Sequence, residues 1–189
     1  MPLAENVRYT FADVLGWDGP ERYELLDGEA VMLATPSRVH QEIVSELTRQ
    51  FGNYLEGKKC RVYPAPFAVR LFEKDNDSPE AAGTMVEPDV SVVCDPDKLD
   101  DLGCKGAPDL VVEVLSPSSQ RHDRMVKFNL YQRAGVKEYW IADPANQVIQ
   151  SFALENGVYV IKELGTKDSI MRVHALNGCF IDLSKVFSD

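Results

Sequence analysis

Long apolar runs are missing from this chain: no segment approaches the ~20 residues that a bilayer-spanning helix requires, and the sequence offers no candidate span. The opening Met1-Pro2-Leu3-Ala4-Glu5 carries neither the basic nor the apolar region of a secretory leader, so a cytoplasmic location is expected. Cysteine is scarce. Cys60, Cys94, Cys104 and Cys179 form no Cys-x-x-Cys pair, which argues against a zinc ribbon or a disulfide framework and predicts reduced thiols. Positive charge is also short, with 20 Lys and Arg against 30 Asp and Glu for a net charge of −10. Such a balance disfavours binding to a polyanion unless basic residues gather locally. There is no Gly-x-Ser-x-Gly elbow, no phosphate-binding glycine loop, no internal repeat and no linker. The acids Asp95, Asp97, Asp100 and Asp101 lack the glycine and closing glutamate of a calcium loop, and read as a solvated turn.

What is present is enough apolar residue, 44% of 189, for one domain over residues 1–189 with a sizeable core. Two short runs stand out. Glu87-Pro88-Asp89-Val90-Ser91-Val92-Val93 is β-branched and opened by a proline, which a strand tolerates at its first position, so Asp89 sits at a strand entrance. Pro108-Asp109-Leu110-Val111-Val112-Glu113-Val114-Leu115 opens the same way, and a period of two puts Asp109, Val111, Glu113 and Leu115 on one face. Glu113 is then a carboxylate within an apolar strand. An ionised carboxylate there either shifts its pKa or finds a cation. A divalent metal answers that need: carboxylate oxygens with water and substrate phosphate suit Mg²⁺, or Mn²⁺ in its place. Adjacent strands lie about 4.8 Å apart, within reach of one ion shared by Asp89 and Glu113, whereas Asp109 is roughly 13 Å along the strand from Glu113.

Around these runs the pattern predicts a short helix at Thr10 to Leu15 and a β-hairpin turning at Asp27-Gly28. Glu29, next to that turn, is either a site residue or a solvated charge. From Ser37 to Leu55 the positions Ile43, Val44, Leu47, Phe51 and Leu55 recur at helical spacing with Ser37 as cap. His40 falls on the buried stripe, as a hydrogen-bonded core histidine or as a site residue. Residues 61–72 read as an extended edge segment broken by Pro64 and Pro66, and Glu73 to Glu80 as an exposed loop. Gln120 to Ala134 reads as a helix stopped by Gly135, where Lys127 either pairs with Asp123 four residues earlier or serves the site. Glu138 to Pro144 supplies a strand, and antiparallel strands follow with Asn156-Gly157 as a hairpin turn. The architecture is α/β: a mixed central sheet flanked by helices, with additional antiparallel strands at both ends.

The run Pro108 to Ser118, with Asp123, Lys127, Tyr131, Gly135-Val136-Lys137-Glu138-Tyr139-Trp140 and Asp143-Pro144, resembles the Uma2 family, also called DUF820. Tyr23-Glu24-Leu25-Leu26-Asp27-Gly28-Glu29 and His40 extend the resemblance over most of the chain from about residue 10. Members are restriction-endonuclease-like proteins of the PD-(D/E)XK nuclease superfamily. The resemblance implies that fold, with Asp89 as the motif's aspartate, Glu113 as its second acid and the carbonyl of Val114 as a third metal ligand. Leu115 stands where the superfamily pattern has lysine. The family implies that this lysine has moved to the following helix, as Lys127.

Two functions are consistent with these residues. One is a metal-dependent endonuclease acting on nucleic acid, DNA by preference, in which Asp89 and Glu113 bind Mg²⁺ or Mn²⁺, Lys127 activates water and stabilises phosphate charge, and His40 or Glu29 assists. Arg121, Arg124, Arg133 and Lys137 would then form a basic strip on the phosphate backbone, and a homodimer would suit cutting of both strands. The other is a nuclease-shaped binding or interaction module without chemistry, which Leu115 and the acidic balance favour. A glycosidase also uses paired carboxylates, but strand-borne acids followed by a lysine fit phosphodiester chemistry better.

Overall fold

The two carboxylate-bearing runs form neighbouring strands in the middle of a sheet, where burial on both faces explains their near-continuous β-branched composition. The computed structural model describes residues 7–73, 77–116 and 122–188. In chain order its elements begin with α1 (Phe11–Leu15), β1 (Tyr23–Leu26), β2 (Glu29–Met32), α2 (Arg38–Leu55), β3 (Arg61–Pro64) and β4 (Val69–Arg70). Then come β5 (Met85–Val86), β6 (Val90–Val93), β7 (Leu99–Asp100), β8 (Gly103–Lys105) and β9 (Leu110–Val114). A π-helical turn (His122–Lys127) runs directly into α3 (Phe128–Ala134). After it follow β10 (Glu138–Asp143), β11 (Val148–Glu155), β12 (Val158–Thr166), β13 (Ile170–Arg172), β14 (Phe180–Asp182) and α4 (Leu183–Val186).

The central sheet has the order β12-β11-β10-β9-β6-β3 and is mixed: β9 and β10 are parallel and the other neighbours antiparallel. The parallel pair is joined through the π turn and α3, the crossover that parallel strands require. A second sheet runs β2-β1-β5-β4-β8-β7, so the amino-terminal hairpin extends this sheet and not the central one. Both hairpin turns form as their dipeptides dictate, with positive φ at Asp27 (49°) and Gly28 (85°), and at Asn156 (50°) and Gly157 (84°).

The core divides across the central sheet. One face packs Ile43, Val44, Leu47, Phe51 and Leu55 of α2 onto Val90, Val112 and Trp140, the stripe that helical spacing predicts. The opposite face packs Leu130 and Tyr131 of α3 onto Val111, Leu115 and Tyr139. Glu138 is buried within this layered body, where Trp140 Nε1 and the Ala175 amide donate to it, yet burial still holds its carboxyl above the ordinary range.

Two expectations are corrected here. Cys60 and Cys94 are joined by a disulfide, since the β3–β6 register that pairs Arg61 with Val93 sets the two cysteines opposite each other, a proximity that 34 residues of sequence conceal. Cys104 and Cys179 are buried free thiols. The acids outside the strands are not all solvated: Glu73 and Asp100 both engage the fully buried Arg70, with Asp100 Oδ2 at 2.5 Å. Residues 74–76 of the anticipated loop lie outside the described residues.

Candidate functional site

The β6–β9 register pairs Val90 with Val112, and one step further it sets Asp89 opposite Glu113 at the end of the ladder. Residues directly opposite in an antiparallel pair share a face with Cβ atoms ~5 Å apart. The bond from the Val114 amide to Asp89 Oδ2, 2.7 Å long, closes this end of the pair. His40, in the first turn of α2, reaches the same carboxylate with Nε2 at 3.1 Å, and the Ser37 hydroxyl accepts its backbone N–H to fix that turn. His40 therefore faces the site; its Nδ1 is buried without a hydrogen-bond partner.

Glu113 is 3% exposed, and Lys127 at 5% is buried beside it. Lys127 Nζ lies 3.0 Å from Glu113 Oε1 and 2.8 Å from Glu24 Oε1, so the ammonium bridges two buried carboxylates. The Tyr131 hydroxyl donates to Glu113 Oε1 at 2.5 Å. Tyr131 follows Lys127 by four residues, and the passage from π turn to α-helix presents both side chains to Glu113. Burial, reinforced by the charges of Glu113 and Glu24, pushes the Tyr131 phenol well above its ordinary pKa, so it stays a neutral donor. Tyr131→Phe should thus cost about 2 kcal/mol, the scale of a hydrogen bond to a charged group, measured by urea denaturation.

Leu115, at the superfamily's lysine position, is buried among Leu130, Val136 and Ile141. The ammonium that a strand lysine would bring to Glu113 comes instead from the π turn.

These groups line one cavity of about 630 Å³ with Glu24, Glu87, Asp89, Glu113 and Asp143 on its walls, against the cations Arg22 and Lys127. Arg22 Nε holds Glu87 Oε2 at 2.8 Å. Burial nonetheless raises the Glu87 carboxyl above its ordinary range.

Glu24 is the residue that sequence reasoning missed. It is 1% exposed in the apolar strand β1, the same costly placement that singled out Glu113, but on a strand of only four residues. Glu29 takes no such position. The β1–β2 register places it beside the turn, opposite Leu26, where it is exposed 3.5 Å from Arg8, while Glu24 and its partner Val31 face the cavity.

The described members of the basic strip, Arg124, Arg133 and Lys137, are exposed and each is paired with an acid. Arg124 bonds Asp143 and Gln150, Arg133 bonds both oxygens of Asp27 at 3.0 Å, and Lys137 bonds Asp109 at 2.6 Å. Lys137 is moreover at the far end of β9 from Glu113. Arg121 and the side chain of Asp123 lie outside the described residues.

The oxygens available here, from Asp89, Glu113 and Glu24, are hard donors of the kind Mg²⁺ takes. Among the described residues no group of three or more His, Cys, Asp or Glu stands ready to enclose a metal.

The Uma2 family, described as "Putative restriction endonuclease", matches residues 11–184. The chain belongs to the Uma2 family. A Synechocystis relative, "Uncharacterized protein slr1290", is 34% identical over 132 residues, 69% of this chain and 65% of the relative, so the match spans less than two thirds of that protein. The structure is similar to that of a "putative nuclease belonging to DUF820" from Anabaena variabilis, with a TM-score of 0.71 and 17% identity over 95% of this chain and 97% of the other. This likeness establishes a DUF820 nuclease-like fold for this Uma2 chain. No described helix is long and apolar enough to cross a membrane.

Proposed function

We propose that this Uma2 chain is a metal-dependent endonuclease that hydrolyses phosphodiester bonds of DNA. The observation that carries the reading is the meeting of Asp89, Glu113, Lys127 and His40 on one cavity, from four separate elements of the chain. Mg²⁺ or Mn²⁺ held by Asp89 and Glu113, with the Val114 carbonyl as a further oxygen, would polarise the phosphate and supply an activated water. Lys127, fixed by Glu24 and Glu113, places a positive charge where negative charge develops on the phosphate oxygens. The Val114 amide and His40 hold Asp89 in a single orientation, so the acid is set before substrate arrives. Tyr131 does the same for Glu113.

The acidic cavity makes metal dependence a physical requirement of this reading, because a phosphodiester meets more carboxylates than cations on entering. The family's description as a restriction endonuclease points to DNA as substrate. The test is incubation of the purified protein with supercoiled and linear DNA in Mg²⁺, Mn²⁺ or EDTA. Nicking or cutting in either metal and none in EDTA is expected. Folded protein that leaves DNA and RNA intact in both metals would favour the silent interaction module, consistent with Arg124, Arg133 and Lys137 all being engaged by protein groups.

A further inference from the structure

We infer that the Cys60–Cys94 disulfide is a redox-sensitive latch on Asp89: a dithiol opens it in the folded protein, and opening loosens the edge strand that holds the Asp89 backbone. Its bearing on cleavage rests on the metal-dependent reading of the cavity; the latch itself does not.

The crosslink sits where a reductant can reach it. Strand β3 is an edge of the central sheet, and Cys60 and Cys94 are both only half-buried at the end of its pairing with β6. Lys58, Lys59 and Arg61 flank Cys60 and are exposed, a cationic setting that favours the thiolate released when the bond opens. Cys104 and Cys179 are the contrast. Both are sealed from solvent, and burial pushes each thiol up to about 12, so neither is reactive.

Opening is a two-electron exchange. One thiolate of the dithiol attacks a sulfur of the bridge and the other cysteine leaves as thiolate; the second thiol of the dithiol then displaces the first cysteine. The dithiol ends as a disulfide, and its two protons pass to Cys60 and Cys94.

Strand β3 carries the effect to the site. Four residue pairs, from Arg61–Val93 to Pro64–Val90, hold it to β6, and Pro64 has no N–H to donate. Beyond them, about 17 Å from Cys60 in an extended strand, the Ala65 N–H donates to the Asp89 carbonyl at 3.1 Å, and Ala65 lines the cavity. β3 thus borders Asp89 on the side away from the strand of Glu113. The bridge also ties the segment after α2 to the end of β6, while α2 brings His40 to Asp89 from its opposite end. With the bond open, a short edge strand ending in proline is left to support the Asp89 backbone on that side.

The test compares the full chain, oxidised and after dithiothreitol, under native conditions. Iodoacetamide, read by mass spectrometry, should label Cys60 and Cys94 only after reduction and leave Cys104 and Cys179 unlabelled. Hydrogen exchange should quicken about tenfold in residues 61–65 and stay unchanged in the buried strand at residues 138–143, as local opening does. Reoxidation with glutathione disulfide should reverse both. Mn²⁺ affinity should fall about tenfold on reduction, the lower end for loss of an outer support of a metal ligand. A double variant, Cys60→Ser with Cys94→Ser, should exchange like the reduced protein and ignore dithiothreitol; should it not fold, reduced wild-type protein decides. A bridge that yields only in denaturant, or exchange at residues 61–65 equal in both states, would overturn the latch. Equal quickening at residues 138–143 would do so too, as general loosening. Absence of Mn²⁺ binding in both states would remove the metal reading, with hydrogen exchange still deciding the latch.

Discussion

Lys127→Met should destabilise the fold by about 3–5 kcal/mol, the scale for breaking a buried ion pair by removing one partner, and should abolish cleavage in the same step. The reason is the ammonium's position between Glu24 Oε1 and Glu113 Oε1, both on residues almost sealed from solvent. Without it two carboxylates remain buried and face each other with no cation between them. Urea denaturation of the two proteins measures the cost. Combining Lys127→Met with Glu24→Gln should restore part of the lost stability, because one stranded charge is gone, while cleavage stays absent. A loss under about 1 kcal/mol would place Lys127 among surface pairs, whose worth is of that order. Retention of more than about a tenth of wild-type cleavage would remove its chemical role, since a single preorganised charge is ordinarily worth 10²–10³.

Asp89→Asn should separate chemistry from stability. Asparagine keeps an oxygen for the Val114 amide and a partner for His40, so the fold should lose no more than about 1 kcal/mol, the net worth of one hydrogen bond. It cannot supply the negative charge that a hard cation needs. Mn²⁺ affinity at the Asp89–Glu113 pair should drop at least tenfold and the cleavage rate by about 10³, matching several kcal/mol of lost transition-state stabilisation. Folded Asp89→Asn protein that cuts at the wild-type rate would remove Asp89 from the mechanism.

How far the sequence reached depended on the range of the signal. The α2 stripe from Ile43 to Leu55, both Gly-containing hairpin turns and the two proline-opened carboxylate strands are local patterns, and the structure forms each of them. Glu113 was legible because a carboxylate within an apolar strand violates that strand's own pattern. Glu24 breaks the same rule in β1, but four residues beside a turn give too short a pattern to read. The engagement of the cations was not legible at all. Arg133 meets Asp27 across 106 residues, and Lys127 meets Glu24 across 103, pairings fixed by tertiary packing that no spacing rule encodes. The Cys60–Cys94 bond belongs to the same class, since it follows from strand register and not from cysteine spacing.

The widened turn from His122 to Lys127 makes residue count, as distinct from residue identity, a vulnerability of this site. A π turn holds one more residue than the α turn it replaces, and such insertions recur at functional positions. Deleting one residue of that turn ahead of Lys127 would let the segment relax to ordinary α geometry and rotate the residues before the deletion by roughly 100°, the angular step of one helical residue, relative to α3. Lys127, joined directly to α3, and Tyr131, inside it, would keep their places against Glu113, while Arg124 would swing away from Asp143. A chain shortened by a single residue would then resemble its parent in nearly every side chain and in its core, yet lose the contact that fixes Asp143 on the cavity wall.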